Sequence, residues 1–214
     1  MSLALVALIG VTMVVAWVTP VVAVRDFEIQ GNSIVNESDI SDALETYRDR
    51  PLPQVNIANA EAIIDDIAAV EEVEITRSWP RTLTIELQER RPYLLVPEAE
   101  ESYWVIDRNG VPYQHLEEPD PALMQVELES PGEDDRATQS VLTILESLPS
   151  DLHNQLEKVE SPTASGIVLH LEDEKSIRWG DAAENEKKSQ VALLLLSQDH
   201  EHFDVSAPNA PSVS

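Results

Sequence analysis

The run Arg77-Ser78-Trp79-Pro80-Arg81-Thr82-Leu83-Thr84-Ile85-Glu86-Leu87-Gln88-Glu89-Arg90-Arg91-Pro92 decides the fold of the first half of the chain. Leu83, Ile85 and Leu87 alternate with Thr84, Glu86 and Gln88, the period of a strand with one buried face. Upstream, Val73, Ile75, Arg77 and Trp79 share one parity against Glu72, Glu74 and Thr76, which places Trp79 on the core side. Pro80 pushes Trp79 towards extended geometry and sets a turn. Two alternating runs joined by so short a break predict an antiparallel hairpin.

Working outward towards the N-terminus, the pattern changes from period 2 to period 3.6. Ile57, Ala60, Ile63, Ile64 and Ile67 form one helical stripe, and Asn56 stands before it as a cap. Arg50-Pro51-Leu52-Pro53 reads as a linker. Ile40, Ala43, Leu44 and Tyr47 fall at i, i+3, i+4 and i+7 of an earlier helix, capped by Asn36. Before that, Phe27 and Ile29 alternate with Asp26, Glu28 and Gln30 until Gly31-Asn32 ends the strand. The order strand, helix, helix, strand, strand suits a three-stranded sheet with two helices on one face. Met1 to Val24 carries no charged side chain and is long enough for an apolar helix to cross a bilayer. A cleaved signal peptide is the rival reading, but a basic leader is missing and the apolar run is too long for one. An uncleaved anchor, with Trp17 near an interface, is the expectation.

Beyond Pro92 the chain turns to short strands and acidic loops. Strands are expected at Tyr103 to Asp107, Val111 to Tyr113, Met124 to Leu128, Leu156 to Val159, Ile167 to Leu171, Ser176 to Trp179 and Phe203 to Ser206. Asp107-Arg108-Asn109-Gly110 supplies a hairpin turn, since Asn-Gly tolerates the positive φ such turns need. One helix is expected to start at Pro131, with Glu133 to Asp135 in its first turn and Pro149 as its stop. A second is expected to start on Asp181 with Glu184 completing a capping box. The fold class is therefore α+β. Residues 1–24 are expected as a transmembrane helix and 25–92 as the strand–helix–helix–strand–strand unit. A mixed β-rich domain with two helices follows over 93–206, and 207–214 form an extended tail.

Several motifs carry a family resemblance. Val73-Glu74-Ile75-Thr76-Arg77-Ser78-Trp79-Pro80-Arg81-Thr82-Leu83-Thr84-Ile85-Glu86-Leu87-Gln88-Glu89-Arg90-Arg91-Pro92 resembles a segment of the bacterial FtsQ/DivIB cell-division family, V-x-V-x-R-x-W-P-x-T-L-x-I-x-V-x-E-R-x-P. Gly31-Asn32 is similar to the turn after that family's first strand. Ile177-Arg178-Trp179-Gly180-Asp181 with Lys187-Lys188 resembles a second motif. Phe203-Asp204-Val205-Ser206-Ala207-Pro208-Asn209-Ala210-Pro211 resembles the ending of actinobacterial members. The resemblance implies a POTRA domain behind the anchor and a β domain after it.

Composition excludes much chemistry. The 214 residues hold 40 Asp and Glu against 14 Lys and Arg, for a net charge of −26. A nucleic-acid surface needs basic residues and is not expected. The acids are scattered, which suits solubility more than an acidic docking patch. With no cysteine, thiolate nucleophiles and thiolate zinc sites are absent. No nucleophile elbow occurs, and six glycines supply no phosphate loop. His200-Glu201-His202 could offer two imidazoles to a metal but has no identifiable third ligand. A calcium loop opening at Asp107 lacks the further acidic ligands. No enzyme activity, catalytic residue, metal, cofactor or small-molecule substrate is expected.

What the resemblance implies is a non-enzymatic scaffold of the divisome. It would be single-pass in the cytoplasmic membrane at the septum, with both domains outside, linking the single-span proteins FtsB and FtsL. The family receives its partner as an added strand at the far end of the β domain. Here that end carries Phe203, Asp204, Val205, Ser206, Ala207 and Val213. Because Pro208 and Pro211 lack ladder donors, pairing is expected to centre on Phe203 to Ala207, with the proline segment extended and only partly ladder-bonded. The alternative is a POTRA protein of envelope biogenesis that handles translocated polypeptides. Such proteins normally carry several POTRA units and a membrane barrel, and no series of barrel strands occurs here.

Overall fold

The structure, a computed structural model, describes residues 20–98 and 102–214. The chain divides into two compact units after Arg90. Most of the expected span over 1–24 lies outside the described residues. Among the described residues no helix is long and apolar enough to cross a membrane. The end of the apolar run is folded: Pro20–Val22 forms a 3-10 turn, Ala23 bridges to Pro51, and Ala23 and Val24 are buried.

In the first unit, strand β1 (Asp26–Gln30) is followed by helices α1 (Glu37–Ala43) and α2 (Ile57–Asp65). Strands β2 (Val70–Ser78) and β3 (Thr82–Glu89) complete it. The sheet order is β1-β3-β2, with β1 parallel and β2 antiparallel to β3, so the hairpin forms as its alternation requires. Ile40, Ala60 and Ile64 from the helices and Leu44 just after α1 meet Ile75, Leu83 and Ile85 from the sheet in one core. The Arg50–Pro53 linker is tighter than expected, with Leu52–Gln54 coiled into a 3-10 turn and Leu52 buried.

Two details depart from expectation. Asn56 caps α2 by accepting from the Asn59 amide at 3.3 Å, but Asn36, at the same position of α1, gives its side chain to Asp39 instead. Trp79 is 59% exposed, not buried. β2 ends at Ser78 and the chain turns there, so the strand's in–out alternation no longer governs residue 79. The Trp79–Pro80 peptide bond is cis.

Loop ends of this unit are tied by residues of the quoted run. Gly31 has φ +83°, and a Cβ there would lie 2.1 Å from the Leu87 carbonyl oxygen, so the Gly-Asn turn requires glycine. The Glu89 carboxylate accepts from the amides of Ser33, Ile34 and Val35 at 2.7–2.9 Å, closing the loop that leads to α1. Burial pushes this carboxyl up, and the three amides outweigh it and hold it below the ordinary carboxylate range. Arg90 donates from its backbone to Ala69 O and from Nε to Ala68 O, both at about 3 Å.

The second unit is a nine-stranded mixed sheet. Its strands are β4 (Leu94–Pro97), β5 (Tyr103–Ile106), β6 (Pro112–Leu116), β7 (Met124–Leu128), β8 (Leu156–Ser161), β9 (Ile167–Leu171), β10 (Ser176–Gly180), β11 (His202–Asp204) and β12 (Ser212–Val213). The order is β12-β11-β10-β9-β8-β7-β4-β5-β6. Helices α3 (Arg136–Ser147), α4 (Ser150–His153) and α5 (Asn185–Leu195) accompany it. Val141, Leu142 and Leu145 of α3 pack with Val126, Val159, Leu169, Ile177 and Trp179.

Here β4, α4 and β12 were not expected, and both longer helices start later than their sequences suggested. α3 begins after Asp135, whose carboxylate accepts from the Thr138 amide at 2.7 Å. Glu133 to Asp135 therefore precede its first turn and do not lie within it. α5 begins after Glu184, which sits at φ 51°, and Asp181 is not its cap. Asp107 Oδ1 accepts from the amides of Asn109 and Val111, so this carboxylate builds the hairpin turn.

Candidate functional site

The far end of the second sheet is assembled around Gly180. Its φ is +83°, and a Cβ would come 2.8 Å from the Cβ of Ser206, so the segment after β11 passes directly over it. Asp181, expected as a helix cap, is instead the partner of Lys188. The ammonium is 1% exposed and donates to both Asp181 Oδ1 and Asp181 O at 2.8 Å. Lys188, and then the Ala183 amide, hold the Asp181 carboxyl below its ordinary range. Trp179, fully buried, donates from Nε1 to Asn185 Oδ1 at 2.9 Å. These bonds fix α5 against β10, and Lys187 reaches Asn209 from the same helix.

β11 pairs parallel with β10, Ile177 opposite Phe203, and is closed by Asp204, whose Oδ1 accepts from the Ser206 amide and hydroxyl. The chain then turns, Ala210 N donating to Ala207 O, and returns as β12 antiparallel to β11. The segment 207–214 is therefore a turn and a strand where an extended tail was expected. The two prolines permit this because they stand outside the two paired residues.

This arrangement separates the six residues expected to bind a partner. Phe203 and Val205 are buried, at 1% and 0% exposure, and Phe203 lies between β10 and β12 with both neighbours in place. Asp204 is half-buried and turned into the β11 closure, while Ser206 and Ala207 are exposed in the turn. Only Val213 lies at a sheet edge. His202 and Ser214 exchange both backbone bonds, which makes Phe203–Val213 a non-hydrogen-bonded pair. The N–H and C=O of Val213 consequently point away from β11, outward from the sheet. Pro211, the residue before β12, has no backbone N–H to give to an added strand. At this end of the sheet the outer strand is Ser212–Val213, and Phe203 lies one strand inward.

Val168, Ser176, Arg178, His202, Asp204 and Val213 line a shallow groove of mixed character beside this edge. His202 Nδ1 meets Ser176 Oγ at 2.9 Å, and Arg178 is 3.9 Å from Asp204. Leu193 and Leu194 are exposed on α5, although Leu194 reads from the sequence as part of that helix's apolar face. Among the described residues no group of three or more His, Cys, Asp or Glu side chains could hold a metal ion.

Two family models match the chain. One, the POTRA domain, FtsQ-type, covers residues 22–90, and the other, cell division protein FtsQ/DivIB, C-terminal, covers 95–207. A cell division protein FtsQ of Mycobacteroides abscessus is 31% identical over 210 residues, covering 98% of this chain and 67% of the relative. The chain belongs to the FtsQ/DivIB family. An FtsQ of Mycobacterium tuberculosis is 28% identical over 208 residues, 97% of this chain and 66% of the relative. One of Corynebacterium glutamicum is 24% identical over 212 residues, 97% of this chain and 94% of the relative. The chain thus spans about two thirds of the length of the two mycobacterial relatives. Membership assigns a role in cell division, in a family defined by that role and not by an enzymatic reaction. The FtsQ/DivIB match ends at Ala207, so β12 lies just beyond it.

Proposed function

We propose that this protein is a non-enzymatic scaffold of the divisome, anchored in the cytoplasmic membrane by the apolar run that precedes Pro20, with both units outside. Its partners are the single-span division proteins FtsB and FtsL, and docking occurs by strand addition to β12. The observation that carries this reading is the outward-facing N–H and C=O of Val213 at the end of a nine-stranded sheet. An added strand would continue the ladder there, with Asp204, Ser206 and Ala207 at its margin and Phe203 and Val205 as the buried floor. Pro211 limits the ladder on one side, which restricts the edge to partners of matching register. A photo-crosslinking amino acid at Ser212 tests the reading against one at Gln114, on β6 at the opposite sheet edge. Capture of FtsB from Ser212 and not from Gln114 is expected. Capture from Gln114 alone would place the docking edge at β6.

A further inference from the structure

One end of the first unit differs from the rest of the molecule in charge. Val24 N donates to Arg50 O, Arg25 N donates to Arg81 O, and Arg77 forks onto the carbonyls of Leu52 and Val55. These bonds bring the start of β1, the 48–55 segment and the β2–β3 corner together. Five of the ten arginines in the chain, Arg25, Arg48, Arg50, Arg77 and Arg81, meet at this end, and all five are exposed. The acids among them are Asp26, Glu45 and Asp49, with Arg25 3.3 Å from Asp49 and Arg48 2.8 Å from Glu45. Arg50 and Arg81 have no ion-pair partner among the described residues. A chain of net charge −26 therefore has a locally cationic end. The opposite end of the same sheet, where Val70 pairs with Glu89, carries Asp65, Asp66, Glu71, Glu72 and Glu89 against Arg90.

At the cationic end Trp79 stands out at 59% exposure, beside the point where the apolar run of residues 1–24 joins β1. Tryptophan prefers the headgroup layer, where its ring is half in hydrocarbon and its N–H stays wet. Arginine is drawn to anionic headgroups, by about 1 kcal/mol for each side chain near the surface. We propose that the Trp79–Arg81 corner, with Arg50, docks on the anionic headgroup layer of the membrane that holds the apolar run. The sheet of the first unit then stands with its basic end down and its acidic end away from the lipid. The proposal rests on the anchor reading above, since only a chain held at the bilayer presents this end to it.

The full chain is reconstituted in vesicles of phosphatidylcholine with about one-third phosphatidylglycerol. The emission of Trp79 is taken as the difference between Trp17→Phe and Trp17→Phe/Trp79→Phe. Expected are a blue shift, quenching by lipids brominated high on the acyl chain and shielding from aqueous acrylamide. All three should weaken in pure phosphatidylcholine. The pair Arg50→Gln/Arg81→Gln keeps the reporter and should lower the docked-to-undocked ratio about 30-fold. Circular dichroism checks that each variant is folded. Carbonate extraction separates the two readings. Retention in the pellet with Trp79 fully open to acrylamide overturns the docking proposal alone. Release into the supernatant refutes the anchor and the docking with it.

Discussion

Replacing Glu89 tests whether one carboxylate holds the loop between β1 and α1. Its oxygens accept from three consecutive amides, and those amides differ in surroundings. Ser33 and Ile34 are exposed, so on removal of the carboxylate their N–H groups return to water at a loss of about 0.5 kcal/mol each. Val35 is 7% exposed, and its amide has no such recourse, so losing a charge-assisted bond costs about 1.5–2 kcal/mol. Glu89→Ala should therefore destabilise the loop by about 2.5–3 kcal/mol, read as roughly 70–160-fold faster hydrogen exchange at amides 33–35. Glu89→Gln keeps a carbonyl acceptor without the charge and should lose about half as much. The pH dependence follows from the direction of the shift. The folded carboxyl is held below its ordinary value, so its contribution is complete above about pH 5. It is lost as pH falls through the folded pKa, because the unfolded chain binds the proton more readily. After correction for intrinsic exchange, the wild-type chain should lose protection at 33–35 on acidification, and Glu89→Gln should show no such acid limb. Exchange at 33–35 within twofold of wild type in Glu89→Ala would refute the reasoning.

Other substitutions probe different devices. Gly31→Ala forces a Cβ against the Leu87 carbonyl at a positive φ and should cost about 3 kcal/mol or more in denaturant unfolding of the first unit. Asp181→Ala leaves the Lys188 ammonium buried with one carbonyl and should cost about 2–4 kcal/mol. Lys188→Met removes the buried charge as well and should cost less, a ranking that urea titration checks. Phe203→Asp puts a carboxylate between β10 and β12. It should expose amides of β11 and β12 to exchange and abolish capture at Ser212 together, the loss of binding arising from lost structure.

How far the sequence could be read depended on whether one face of an element was wet. β2 and β3 alternate because one face of their sheet is solvated, and the hairpin was legible residue by residue. β4 was not, because Leu94, Leu95 and Val96 are all buried and show no period. Trp79 was misplaced by carrying a strand's parity one residue beyond its end. The helix starts were misjudged where several acids competed to cap. Asp135 won at α3, and at α5 the nearest Asp was claimed by a buried lysine whose position on the inner helix face the sequence does not announce. At the far end of the sheet, two prolines read as breakers, yet both precede β12 without interrupting it, and Phe203 lies in the strand that β12 covers.

The position of β12 also bears on biosynthesis. It is the last of the nine strands in chain order and lies at the outside of the sheet, behind β11. A nascent chain can complete every other strand without displaying this edge. A chain stalled before His202 would offer β10, Ser176 to Gly180, as the border of the sheet. On the proposed docking at β12, a copy that has not yet placed its last strand would lack the receiving edge and would not compete for partners with finished ones.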